Sequence, residues 1–146
     1  MPARTSGRSS SATLLARRLA LLALFEGEFR PGAATAALAR LADERDVPDE
    51  VRAHSLEIVT GVDEHRDELD ARIAAEAPVI PVAELGRIER TILRSAIFEV
   101  LYSAATPSGE TMRDAVSLAR IYAGDAARRL VNGVLGSVSR SSGGGA

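Results

Sequence analysis

The 146-residue chain predicts a single all-α domain, and three observations carry that reading. Alanine, leucine, arginine and glutamate dominate while aromatics make up only 3%, and such side chains lose little rotamer freedom in a helix. Apolar residues recur at spacings of three and four along most of the chain, the period of a helix with a buried face. Proline and glycine stand between those stretches, at Pro31-Gly32, Pro78, Pro81, Pro107-Ser108-Gly109 and Gly124, where they end helices and not strands.

Residues 1–11 and 141–146 lack apolar periodicity and are rich in serine and glycine, so they read as a flexible arm and tail around a helical domain spanning 12–140. The first helix is expected over 13–29, with Pro31-Gly32 as its stop. Its centre, LALLALF, is apolar nearly all round, the mark of burial on several sides. Arg17-Arg18 ahead of that run also resembles a secretory signal, but Glu26, Glu28 and Arg30 cut it off after seven residues and no cleavage site follows directly. A short helix follows over 33–45. The third starts near Asp46 or Asp49, either of which suits a cap, with Pro48 in the first turn. It buries Val51, Ile58, Val59 and Val62, bends at Gly61, and runs through Leu69 and Ile73 to a stop at Pro78 and Pro81. The fourth, over 84–105, is apolar on more than one face and belongs at the centre of the bundle. A loop over 106–109 offers Ser108 as the next cap. Met112, Ala115, Val116, Ala119 and Tyr122 then form a stripe, Gly124 closes the helix in a left-handed conformation, and Asp125 opens the last one, to about Arg140. Asn132-Gly133 between apolar arms resembles a hairpin turn. Leu130, Val134 and Val138 nevertheless keep helical spacing, and no third strand would support a hairpin. Gly133 is therefore placed inside a helix, where it costs about 1 kcal/mol and permits close approach of a neighbour.

Composition narrows the function. With no cysteine there is no disulfide, thiolate metal site or cysteine nucleophile, which suits a cytoplasmic protein. No apolar run is long enough to span a bilayer. The net charge of −2 is unevenly spread. Residues 1–30 carry five arginines against two acids, 31–83 five against twelve, and 84–146 eight against six. A basic face is therefore to be sought in the two terminal segments. Lysine is absent, and the arginine fork that replaces it grips phosphate bidentately and stacks on bases. His54 and His65 share a helical face, as do Glu50, His54 and Glu57, but no second carboxylate–histidine motif completes a metal site. Phosphate loops, nucleophile elbows and metalloprotease motifs are missing too. No enzyme, metal or cofactor is expected.

Four segments then carry a family resemblance: ARRLALLALFEGE (16–28), ELGRIERTILRSAIFEVLYSAATP (84–107), RDAVSLARIYAG (113–124) and RRLVNGVLG (128–136). Together they resemble the NusB family over roughly 12–140, most specifically at LR-x-A-x-x-E and VNGVL. The resemblance implies an all-α fold of two small three-helix groups packed across one another around a shared long helix. It implies transcription antitermination on ribosomal RNA operons, with boxA RNA bound together with NusE, a small-subunit ribosomal protein, and with NusA and NusG on RNA polymerase. Arg17, Arg18, Arg120, Tyr122, Arg128 and Arg129 match RNA-binding positions, and Phe25 and Glu89 match positions facing NusE. Asp114 keeps the acid of an Asn-Glu-Ala motif in which Arg113 replaces the asparagine. Leu130 stands where the family often has an aromatic, and a lost stacking platform is worth about 1–3 kcal/mol.

Each residue also has a plainer reading. Arg17 and Arg18 fit a solvated helix face, Tyr122 a ring packed on the core, Glu89 a pair with Arg90 or another surface charge, and Arg94 with Glu99 a buried structural pair. Two other functions stay open: a helical protein-interaction domain that has lost RNA binding, and the NusB-like RNA-binding portion of an rRNA cytosine methyltransferase. A homodimer through the apolar first helix is open as well.

Overall fold

A computed structural model of the protein describes residues 9–77, 81–103 and 106–143. Those residues form α1 (Ser10–Glu26), α2 (Ala33–Arg45), α3 (Asp49–Glu76), α4 (Arg87–Tyr102), α5 (Ser108–Ala123) and α6 (Asp125–Gly143), with one 3-10 turn, Val82–Glu84, before α4. No strand occurs among the described residues, and Asn132 and Gly133 lie inside α6.

The ends of the helices differ from expectation for local reasons. The Ser9 hydroxyl caps α1 by accepting from the Ala12 amide at 3.1 Å, so Ser10 and Ser11 join the helix instead of the arm. The helix stops at Gly27, short of Pro31. A Cβ there would stand 2.2 Å from the Ala34 amide nitrogen, so glycine lets α2 close in directly. Asp46 adopts φ 49 and ψ 51 and ends α2, and Pro48 takes the cap position of α3; neither aspartate caps it. The bend expected at Gly61 falls at His65, with φ −113 and ψ 17. Pro78 lies outside the described residues. Val82–Glu84 winds as a 3-10 turn, which delays α4 until Arg87. Pro107 is the N-cap of α5, so Ser108 and Gly109 are helical and Ser108 is no cap. Gly124 has the expected positive φ of 93, but its ψ of −176 is extended and not left-handed helical. That region is open essentially only to glycine. Finally, α6 passes residue 140. Arg72 donates to the Ser141 hydroxyl at 2.7 Å, and that hydroxyl donates to Glu76 at 3.0 Å, pinning the helix end to α3.

Two groups result. α1, α2 and α3 pack on one another, α4, α5 and α6 do the same, and α4 joins them by lying on α1 and α3, while α3 also reaches α6. Fully buried Leu19, Leu21, Leu38, Ile58, Leu69, Ile73, Leu93, Ile97 and Leu135 fill the space between. Buried alanines at 16, 20, 23, 34, 37 and 42 let the N-terminal helices approach closely. The apolar centre of α1 is thus mostly enclosed by its own chain, with Leu22 and Phe25 only partly buried. Gly133 is exposed, and a Cβ there would meet nothing within 4 Å, so it serves no helix contact.

Candidate functional site

The junction of α5 and α6 gathers four of the expected site residues. Arg120 is exposed in the last turn of α5, and Tyr122 follows it, 37% exposed and not packed into the core. Gly124 turns the chain, and Asp125 then starts α6. Its carboxylate accepts from Arg128 Nε at 2.8 Å and Nη2 at 3.3 Å, and from Arg129 Nη1 at 2.7 Å. The hydrogen bond and charge of Arg128 hold the Asp125 carboxyl below the usual carboxylate range, with Arg129 and Arg120 adding to the effect. Three guanidinium groups therefore face one ionised carboxylate, beside an exposed ring, at the N-terminus of a long helix.

Arg17 is elsewhere. Only 6% exposed, it donates from Nε to Glu99 Oε1 at 2.8 Å and from Nη1 to Asp114 Oδ2 at 2.6 Å. Its Nη2 reaches Thr111 Oγ1 at 3.2 Å. His54, fully buried on α3, places Nε2 2.8 Å from Glu99 Oε2. Burial works to raise the Glu99 carboxyl, but hydrogen bonds from His54 and Arg17 outweigh it and hold the group below its ordinary range. An ionised carboxylate only accepts, so Nε2 of His54 carries the proton in that bond. This network ties α1, α3, α4 and α5 together, and it removes Arg17 from the RNA-contacting set. Arg18 is partly buried, has no ion pair among the described residues, and keeps its Nε without a hydrogen-bond partner.

A second polar cluster joins the end of α1 to α4. Glu28 accepts from Arg87 Nε at 2.9 Å and also from Arg90 and Arg94. Arg94 in turn grips Asp70 of α3 through Nε at 2.7 Å and Nη2 at 2.9 Å. Arg94 and Glu99 are thus both paired, but not with each other: along a helix their five-residue offset points them to different neighbours. The Arg87 guanidinium lies over the Phe25 ring at 3.9 Å and near that of Phe29 at 4.8 Å. Phe29 itself is 73% exposed. Glu89 stands in the same first turn of α4, half-buried against Gly86 and without an ion pair among the described residues, so it does not pair with Arg90. Phe25 meets α4 through Arg87 and not through Glu89.

Sequence reasoning missed the roles of Arg87, Phe29, His54 and Asp125. A signal existed for Arg17, since Thr13, Arg17, Leu21 and Leu24 form one helical stripe and all are buried. For Asp125 the signal was its spacing of three and four from two arginines.

The NusB family model matches residues 14–140 of this chain. The chain is 34% identical over 126 residues to a transcription antitermination protein NusB of Dehalococcoides mccartyi, covering 86% of this chain and 88% of that protein. To the NusB protein of Symbiobacterium thermophilum it is 37% identical over 133 residues, covering 86% and 87%. Among solved structures, that of antitermination factors NusB and NusE in complex with dsRNA superposes with a TM-score of 0.81 at 23% identity, covering 90% of this chain and 98% of that one. T. maritima NusB gives 0.81 and 23%, covering 88% and 90%. At such identity these structures speak for a shared fold.

Proposed function

The chain belongs to the NusB family, and on that premise we propose that it is a transcription antitermination factor acting by binding and not by catalysis. It holds boxA RNA of ribosomal RNA operons together with NusE and joins RNA polymerase with NusA and NusG, in the cytoplasm. No described helix is long and apolar enough to cross a membrane. The observation that carries the RNA half is the set of exposed Arg120, Tyr122 and Arg129 with half-exposed Arg128 at one helix junction. Guanidinium groups take phosphates, the ring stacks on an unpaired base, and the amides at the start of α6 favour an anion. We assign Arg18 to RNA as well, and Arg17 to the buried network that supports the fold. For the protein half, Phe25 held under Arg87 offers a preorganised apolar anchor, and Glu89, without an ion pair among the described residues, offers a charge that a basic partner completes. The names carried by the D. mccartyi and S. thermophilum relatives support this reading.

The test is titration of boxA RNA against the complex with the organism's own NusE homologue at several salt concentrations. Replacing Arg128 and Arg129 together by alanine weakens binding and flattens the salt dependence by up to about two units of slope. Tyr122→Ala weakens binding by about 1–3 kcal/mol without moving the slope. Unchanged affinity and slope in the double variant removes this surface from the account. It then favours the protein-interaction domain that has lost RNA binding, a reading supported by the burial of Arg17 and by Leu130 in place of an aromatic.

A further inference from the structure

We propose that the Asp125 carboxylate is an internal competitor for RNA phosphate, holding Arg128 and Arg129 until RNA displaces it. The inference rests on the assignment of the α5–α6 junction to RNA. Three hydrogen bonds from two arginines converge on this one exposed side chain. Arg128 commits Nε and Nη2 to Asp125, the edge of the fork that would otherwise meet a phosphate with two parallel bonds. Arg129 commits Nη1. An RNA phosphate that takes the Nε–Nη2 edge of Arg128 must therefore displace Asp125, and one bound at the remaining donors of Arg128 or Arg129 lies close to a like-charged carboxylate. The side chains are 60%, 34% and 64% exposed at Asp125, Arg128 and Arg129, so the pairs are screened and weak enough to exchange. Asp125 also sits in the first turn of α6, where an acid complements the helix dipole. In the free protein it occupies the same electropositive helix end that an RNA phosphate would use. The consequence is a site whose intrinsic attraction for any polyanion is held down, so that contacts made together with a partner weigh more in selecting RNA.

The experiment uses the full chain and a fluorescently labelled single-stranded boxA RNA, titrated by anisotropy at several salt concentrations. Asp125→Asn keeps a polar group able to cap the helix start but removes the charge. Affinity is expected to rise roughly two- to tenfold, the scale of two released surface ion pairs, and the salt slope to steepen by up to about one unit. Asp125→Glu, which keeps the charge on a longer arm, should stay within about twofold of the parent. In the background lacking both Arg128 and Arg129, Asp125→Asn should gain nothing. If Asp125→Asn leaves affinity unchanged or lowers it while the double arginine variant still weakens binding, Asp125 is a structural or positioning group and the competitor role is overturned. If the double arginine variant also binds RNA as the parent does, the RNA assignment of the junction fails and the proposal falls with it.

Discussion

Arg17 shows how one residue can reverse its expected role. Next to Arg18 in sequence, it reads as half of a basic patch. In the fold it is the cation of a buried network with Glu99, Asp114, Thr111 and His54. Removing one partner of such a network leaves a charge buried and uncompensated, at about 3–5 kcal/mol. Arg17→Ala should lose that much in urea unfolding, whereas Arg18→Ala, without an ion pair, should stay near the parent. A change under 1 kcal/mol at Arg17, about the size of a surface pair, contradicts the network. This network and the Glu28 cluster together set an acid limit. Glu99 and Glu28 are both held below the ordinary carboxylate range, so the folded state binds fewer protons there than the unfolded chain. Their contribution is full well above the unfolded value of 4.5 and is lost as pH falls through and below it. Urea midpoints should hold between pH 7 and 6 and fall steeply under pH 4.5; a flat profile to pH 3 would sink this account. Burial of Arg17 was legible from its helical stripe. Its partners were not, since Glu99 and Asp114 lie 82 and 97 residues away.

At the scale of the element, two helical glycines reverse their expected roles. The sequence pattern suits a bend at Gly61, but in the fold it is the point where Phe98 of α4 lies on α3: a Cβ would stand 2.1 Å from the ring. Gly133 suits a close approach of helices by its sequence, but it faces solvent. Gly61→Ala should therefore destabilise by about 1–3 kcal/mol, as overpacking does. Gly133→Ala should stabilise by up to about 1 kcal/mol, because alanine favours the helix and meets no neighbour. Thermal midpoints of the two variants check both signs, and a shift of the same sign in both contradicts the packing described. The kink at His65 coincides with its ring stacked on Tyr102 at 4.3 Å. No glycine or proline marks it, which is why it was not legible in the sequence.

For the whole molecule, net charge is a poor guide to partners. Acidic side chains crowd the exposed surface of α3, at Asp63, Glu64, Asp67 and Glu68, while Arg120, Arg128 and Arg129 gather around the single acid Asp125 at the α5–α6 junction. Segregation of this kind orients a polyanion without requiring a basic protein. The protein partner is expected at the other polar end, where α1 meets the first turn of α4. Glu89→Arg should weaken NusE binding at least about tenfold at low salt and less at high salt, since reversing a charge opposite a basic surface changes sign, not size. The fold should survive, because Glu89 holds no ion pair among the described residues. Equal affinity at both salt concentrations would show that the partner sits elsewhere.

The sequence by itself determined the helical class, the number and order of the helices, and the position of Asn132-Gly133 inside one of them. Each of these follows from apolar periodicity and turn residues acting over a few neighbouring positions. It also placed Arg120, Tyr122, Arg128 and Arg129 together, because a short turn joins two adjacent helices and distance along the chain stands in for distance in space. Only the tertiary structure decided which distant groups hold Arg17, that Arg94 and Glu99 serve separate networks, and that Gly61, not Gly133, is a helix contact. Those outcomes depend on which faces of distant helices meet. Charge pairing and close packing act across that gap without regard to sequence separation, and no local pattern encodes them.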